Sequence, residues 1–138
     1  MWLQWRHTMD EHFLAETVYP FLKGAMRVYE AMLQDDGKVM SLPVSVSPEF
    51  GGSGAGAWGR DASFQLANIH FLCHALIEAS ERLGVDAEDR HRWQFIAERL
   101  PLASTDPDGR EIWLWDGQPL SESHRHHSHL AGLYPFDI

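Results

Sequence analysis

Apolar residues recur at three- and four-residue steps from about Asp10 to Gln34, through Phe13, Leu14, Val18, Phe21, Leu22, Ala25, Met26, Tyr29, Met32 and Leu33. That spacing is one apolar face of a helix. Pro20 falls inside the pattern, and a proline there removes a hydrogen bond and crowds the preceding turn. The pattern therefore predicts a short helix ending near Thr17 and a longer one starting near Pro20. Asp35-Asp36-Gly37 supplies the turn chemistry that stops it. A broader stripe, running from Phe64, Leu66, Ala67 and Ile69 to Leu76, Ala79 and Leu83, predicts a helix capped by Asp61 and closed at Gly84. Asp86 then reads as the cap of a third helix, with Glu88 and Asp89 in its first turn, where the helix dipole favours carboxylates. Trp93, Phe95, Ile96, Ala97 and Leu100 bury that helix, and Pro101 ends it.

Between and after these helices the periodicity fails. Residues 39–48 alternate apolar and small side chains, which predicts extended chain, while Pro43 and Pro48 keep it out of a central strand. Residues 51–59 hold five glycines in nine positions. Such a stretch is a flexible linker or a loop bending closely around a ligand, and the flanking Glu49, Phe50 and Trp58 favour the loop. Asp106-Pro107-Asp108-Gly109 is a turn, and residues 111–117 alternate like one arm of a small hairpin. No segment repeats another at a fixed period. The expected architecture is all-α: antiparallel helix pairs joined by long, chemically dressed loops.

Composition narrows the function. With 138 residues, 44% of them hydrophobic, the chain has the length of one domain and enough apolar material for a core. A net charge of −9 argues against nucleic acid as a partner, since phosphate neutralisation needs clustered Lys and Arg. No apolar run approaches a membrane span, and residues 1–7 lack the pattern of a signal peptide. Both ends are apolar where free termini are usually polar, which predicts a piece of something larger, with apolar surface left uncovered beside its helices. The single cysteine, Cys73, lies in an apolar helical run and reads as a buried small hydrophobe.

The chemistry concentrates near the C-terminus. Four of the nine histidines, His124, His126, His127 and His129, surround Arg125 within six positions. Imidazole and guanidinium bind oxygen-rich ligands, carry protons or hold metals. A zinc site is one reading, although Arg125 sets a fixed positive charge beside it and neither the H-E-x-x-H spacing nor paired cysteines are present. His70 and His74, four apart on a helix, are a weaker metal pair. A serine nucleophile at Ser123 or Ser128 lacks the elbow motif that would activate it. The remaining readings place Arg125 and His126 as donors to sugar hydroxyls or an anion, or leave the histidines as packing.

Ser47-Pro48-Glu49 with the glycine-rich loop after it, Trp115-Asp116, and above all His124-Arg125-His126-His127-Ser128-His129-Leu130-Ala131-Gly132-Leu133-Tyr134-Pro135 resemble glycoside hydrolase family 95. Residues 17–25 resemble the helix that precedes the loop in those proteins, so the likeness covers nearly the whole chain in order. It implies one region, residues 1–138, forming part of an (α/α)6 toroid and lacking the rest of the catalytic barrel. It implies hydrolysis of terminal α-L-fucosyl or related α-L-galactosyl bonds with inversion by a secreted or periplasmic parent, with a glycan as substrate and no metal or organic cofactor. The resemblance puts Glu49 at the general acid and Arg125 and His126 in the sugar pocket. The family's water-activating asparagines and their partner aspartate fall outside these residues, so this piece alone is expected to be inactive. His127 and the Ser121-Glu122-Ser123 approach depart from the commonest motif.

Beside the resemblance, the residues themselves suggest that Phe50 and Trp58 desolvate Glu49 and raise its pKa, as an acid catalyst requires. Trp58 and Trp115, with Trp113 nearby, are candidate platforms for a pyranose face. Two other classes share the pattern: a noncatalytic carbohydrate-binding or structural helical segment, and an α-toroid sugar epimerase using histidines as acid–base groups.

Overall fold

The computed structural model describes residues 1–52 and 54–138; Ser53, inside the glycine-rich loop, lies outside the described residues. Helix α1, Trp2–Thr8, closes on a left-handed Met9. Its Trp5 is buried, with the Trp2 ring tilted against it at 4.7 Å. Asp10 caps the next segment by accepting the Phe13 N–H at 3.0 Å. Helix α2, Glu11–Phe13, passes through a π-turn, Leu14–Val18, into α3, Tyr19–Met32.

The break expected at Pro20 does not occur. The Tyr19 N–H reaches back five residues to the Leu14 carbonyl, and Pro20, which has no N–H to place, follows at once. An α-turn would press the proline ring against the carbonyl four residues earlier; the wider turn moves that carbonyl aside.

Helix α4, Ser63–Leu83, is the centre of the molecule, packed against both α3 and α5, Ala87–Arg99. Its buried positions, among them Leu66, Ile69, Leu72, Cys73, Leu76 and Ala79, cover more than one stripe because it has helices on two sides. They meet Trp5, Leu14, Val18, Leu22, Met26, Trp93, Ile96 and Leu100 in one core. Burial pushes the Cys73 thiol up to about 12, so it packs as a hydrophobe. Gly84 ends α4 in the left-handed conformation, and the Val85 N–H closes back on Ser80. His70 spans two elements by donating from Nε2 to the carbonyls of Leu100 and Pro101 at 3.2 and 3.1 Å.

Several local expectations change on contact with neighbours. Asp86 occupies the cap position of α5, yet its side chain makes no cap bond. Its carboxylate instead accepts from Tyr19 Oη at 2.7 Å and from Lys23 Nζ at 2.5 Å. Asp61 does not cap α4 either. It takes a left-handed φ of 55° and clasps Leu42, accepting that residue's N–H at 2.6 Å and donating its own to the Leu42 carbonyl at 2.9 Å. Phe21 is exposed, and Phe95 is half exposed with the Arg99 guanidinium 5.0 Å over its ring.

The loops form a second layer over the first turns of α4. Strands β1, Gln34–Asp35, and β2, Met40–Ser41, make one antiparallel pair; β3, Ser45–Val46, and β4, Trp58–Gly59, make another. The expected hairpin arm at residues 111–117 is instead irregular chain with isolated bridges, Thr105 to Ile112 and Trp115 to Gln118. A separate apolar cluster of Phe50, Ala62, Leu114 and Trp115 underlies this layer. Serines tie it to the helix. Ser45 Oγ accepts the Ala62 N–H at 2.8 Å, and Ser63 Oγ donates to the Trp113 carbonyl at 2.6 Å while accepting the Ser104 N–H at 3.0 Å.

Candidate active site

Ser47-Pro48-Glu49-Phe50 forms a tight turn closed by the Phe50 N–H on the Ser47 carbonyl at 3.3 Å. Pro48 presets its first central position, and Glu49 takes the second at a φ of 58°. That left-handed position normally belongs to glycine, so a glutamate there stores strain and needs outside support. Phe50 supplies part of it, turning inward to meet the Trp115 ring edge-on at 5.5 Å. Trp115 in turn lies on Gly59, where an added Cβ would fall 2.2 Å from the indole. The backbone returns to the left-handed region at Gly51, which sits so close to Ala57 that a Cβ would approach its Cα to 2.8 Å.

The histidine segment docks on this turn. Ser47 Oγ and Ser128 Oγ share a short hydrogen bond. Arg125 donates from Nε to Glu49 Oε2 at 2.8 Å, and its terminal nitrogen donates to the same oxygen. His126 Nε2 lies 2.9 Å from it. Residues 76 and 77 positions apart thus meet on one carboxylate oxygen. The Leu130–Tyr134 turn carries the chain on to Phe136, which packs against Phe71 and Phe64 of α4 at 5.3 and 6.2 Å.

The electrostatics reverse the expectation for Glu49. Phe50 is buried beneath the turn, Trp58 is 60% exposed, and the Glu49 side chain is itself 53% exposed. The Arg125 guanidinium, then the His126 imidazole, hold its carboxyl below the usual carboxylate range. Desolvation is the smaller influence here, so the expected rise is not found. His129 moves down from the usual imidazole range, first through burial and then through the neighbouring His127.

The two candidate sugar platforms separate. Trp58 faces a shallow depression of about 290 Å3 with Pro43, Val44, Gly59 and Arg60, and Glu49 is not in its lining. Trp115 is buried; its ring supports Phe50 and Gly59 in place of offering an open face. Among the described residues, no group of three or more His, Cys, Asp or Glu side chains is placed to hold a metal ion. No helix is long and apolar enough to cross a membrane, again among the described residues.

Residues 1–138 match the model of the Glycosyl hydrolase family 95 catalytic domain. The chain belongs to family 95. It is similar to "Alpha-L-fucosidase 2" of Arabidopsis thaliana, with 33% identity over 146 residues, covering 97% of this chain and 17% of that relative. Its helices, with two small strand pairs beside them among the described residues, fit a segment of the family-95 helical toroid.

Sequence reasoning named the family-95 motif but missed its internal ties: the Ser47–Ser128 contact, the Asp61–Leu42 clasp and the bonds of His124. Only Ser-Pro-Glu, a turn signal, pointed toward the Glu49 conformation. The serines had no periodic signature to reveal them.

Proposed function

We propose that the polypeptide carrying this chain hydrolyses terminal α-L-fucosyl or related α-L-galactosyl bonds with inversion. Glu49 is the general acid, and Arg125 and His126 bind the sugar. The observation that carries this reading is the meeting of the Glu49 carboxylate, the Arg125 guanidinium and the His126 imidazole at one exposed point. The likeness to a protein named α-L-fucosidase supports the choice of sugar.

An acid catalyst must carry a proton, and in the present arrangement Glu49 is held as a carboxylate. Sugar hydroxyls entering the site draw Arg125 and His126 onto themselves. The carboxyl then loses the Arg125 charge and the hydrogen bonds that hold it ionised, its pKa rises, and it takes up a proton. That proton passes to the glycosidic oxygen as its bond to the anomeric carbon breaks. Water, activated by groups outside this chain, attacks the opposite face and leaves the sugar inverted. Trp115 holds the Glu49 turn from below through Phe50. The remaining barrel helices pack on exposed apolar side chains such as Leu3, Phe21 and Val28, and on the cavity walled by Trp2 and Phe71.

Glu49→Gln in the full-length enzyme tests this. General acid catalysis is worth about 10²–10⁴-fold, so a natural fucoside with a poor leaving group should lose most of that in kcat. An aryl fucoside with a good leaving group should lose much less. Equal losses on both would remove Glu49 from the acid role. Arg125→Ala should raise KM on both substrates with little change in kcat.

A further inference from the structure

Glu49, Arg125 and His126 account for proton delivery and sugar binding, and His124 is left without a part. Its ring stands between the two segments. The His126 N–H donates to His124 Nδ1 at 3.1 Å, and His124 Nε2 lies 3.4 Å from the backbone carbonyl of Glu49. A backbone N–H only donates and a carbonyl only accepts. A neutral imidazole therefore satisfies both with its lone pair on Nδ1 and its proton on Nε2. The His126 carbonyl also lies 3.3 Å from Nδ1 and would call for a proton there, but the N–H is the nearer partner at 3.1 Å, and together with the Glu49 carbonyl it selects the Nε2–H tautomer. The ring also meets Phe50 edge-on at 5.7 Å, and Phe50 is anchored in the loop-layer cluster on Trp115.

We infer that His124, as its Nε2–H tautomer, is a positioning residue that ties the Glu49 turn to the Arg125–His126 segment and sets the reach of the Glu49 carboxyl. The inference rests on the reading of Glu49 as the acid. The tie runs through main-chain atoms, so it survives when the Arg125 and His126 side chains exchange the carboxylate for sugar hydroxyls. It also supplies support to a residue at a positive φ, which does not hold that conformation by itself. A carboxyl displaced by about 1 Å loses much of its alignment for proton transfer, at a cost on the order of 10²-fold in rate.

The test uses the full-length enzyme. His124→Phe keeps a ring against Phe50 but removes both nitrogens. It should lower kcat for the poor leaving group by about 10- to 100-fold, lower it far less for an aryl fucoside, and leave KM little changed. His124→Gln returns an N–H donor near the Nε2 position, toward the Glu49 carbonyl, and should recover part of the loss. If Glu49→Gln separates the two leaving groups while His124→Phe costs the same factor on each, the inference is overturned and the acid reading stands. If Glu49→Gln does not separate them, both fall. Should the phenylalanine variant fail to fold, the imidazole nitrogen chemical shifts of the unaltered enzyme decide: a proton on Nε2 of His124 is expected, and one on Nδ1 overturns the assignment.

Discussion

The helical layer and the loop layer are held by different forces. Around α4, large side chains such as Trp5, Trp93, Leu66 and Met26 are fully buried in one continuous core. Burial of this kind is non-directional and tolerates modest repacking. Among the described residues the loop layer has a small cluster around Phe50 and Trp115, and takes its shape from directed bonds made by Ser45, Ser63, Ser104 and Asp61. A layer of this second kind is set by geometry at each bond. That suits a site which must hold a carboxylate, a guanidinium and an imidazole at one point.

The largest expected effect belongs to the core. Trp93→Ala should cost about 3–5 kcal/mol in denaturant unfolding, with the Glu49 site unaltered in whatever fraction remains folded. A low stability cost accompanied by lost activity would erase the distinction between the layers.

Gly59→Ala acts in the loop layer and should cost less, about 1–3 kcal/mol, because its Cβ would enter the Trp115 ring. Its mark should be local: far-ultraviolet circular dichroism of the helices preserved, and the near-ultraviolet tryptophan signal changed. An unchanged near-ultraviolet spectrum would mean that Trp115 is free to move and is not the support of Phe50.

The smallest effect is at the α3–α5 ion pair. Lys23, then the Tyr19 hydroxyl, hold Asp86 below the usual carboxylate range. A depressed folded value means stability that is fully present above the unfolded pKa of about 3.9 and lost as pH falls through the folded value. Asp86→Asn should cost about 1 kcal/mol near neutral pH, discounted for partial exposure. In urea unfolding, the gap to the wild type should close on acidification; a gap independent of pH would assign the loss to the hydrogen bonds alone.

The same division explains what could be read in advance. The α4 stripe, its stop at Gly84 and the end of α5 at Pro101 are written in short-range periodicity and turn residues, and these elements are present. The candidate site residues were legible as a motif, because Glu49, Arg125 and His126 stand in recognisable strings. Their environment was not. The Glu49 carboxyl is governed by Arg125, 76 positions away, so a reading limited to Phe50 and Trp58 gave its shift the wrong sign. Asp61 and Asp86 carry cap chemistry in sequence but are claimed by Leu42 and by Tyr19 and Lys23, all distant in the chain.

The π-turn at Leu14–Val18 can be understood as a correction of phase. Leu14, Val18, Leu22 and Met26 are spaced by four, and all are buried. On an uninterrupted α-helix each step of four overshoots a full rotation by about 40°. Three such steps would carry Met26 about 120° away from the face that holds Leu14. A turn that spends one extra residue absorbs part of that drift at the first step. Upstream and downstream halves of the stripe are therefore buried in one core. Rewound as a plain α-helix, the same four apolar side chains would spiral off one seam although none of them had changed.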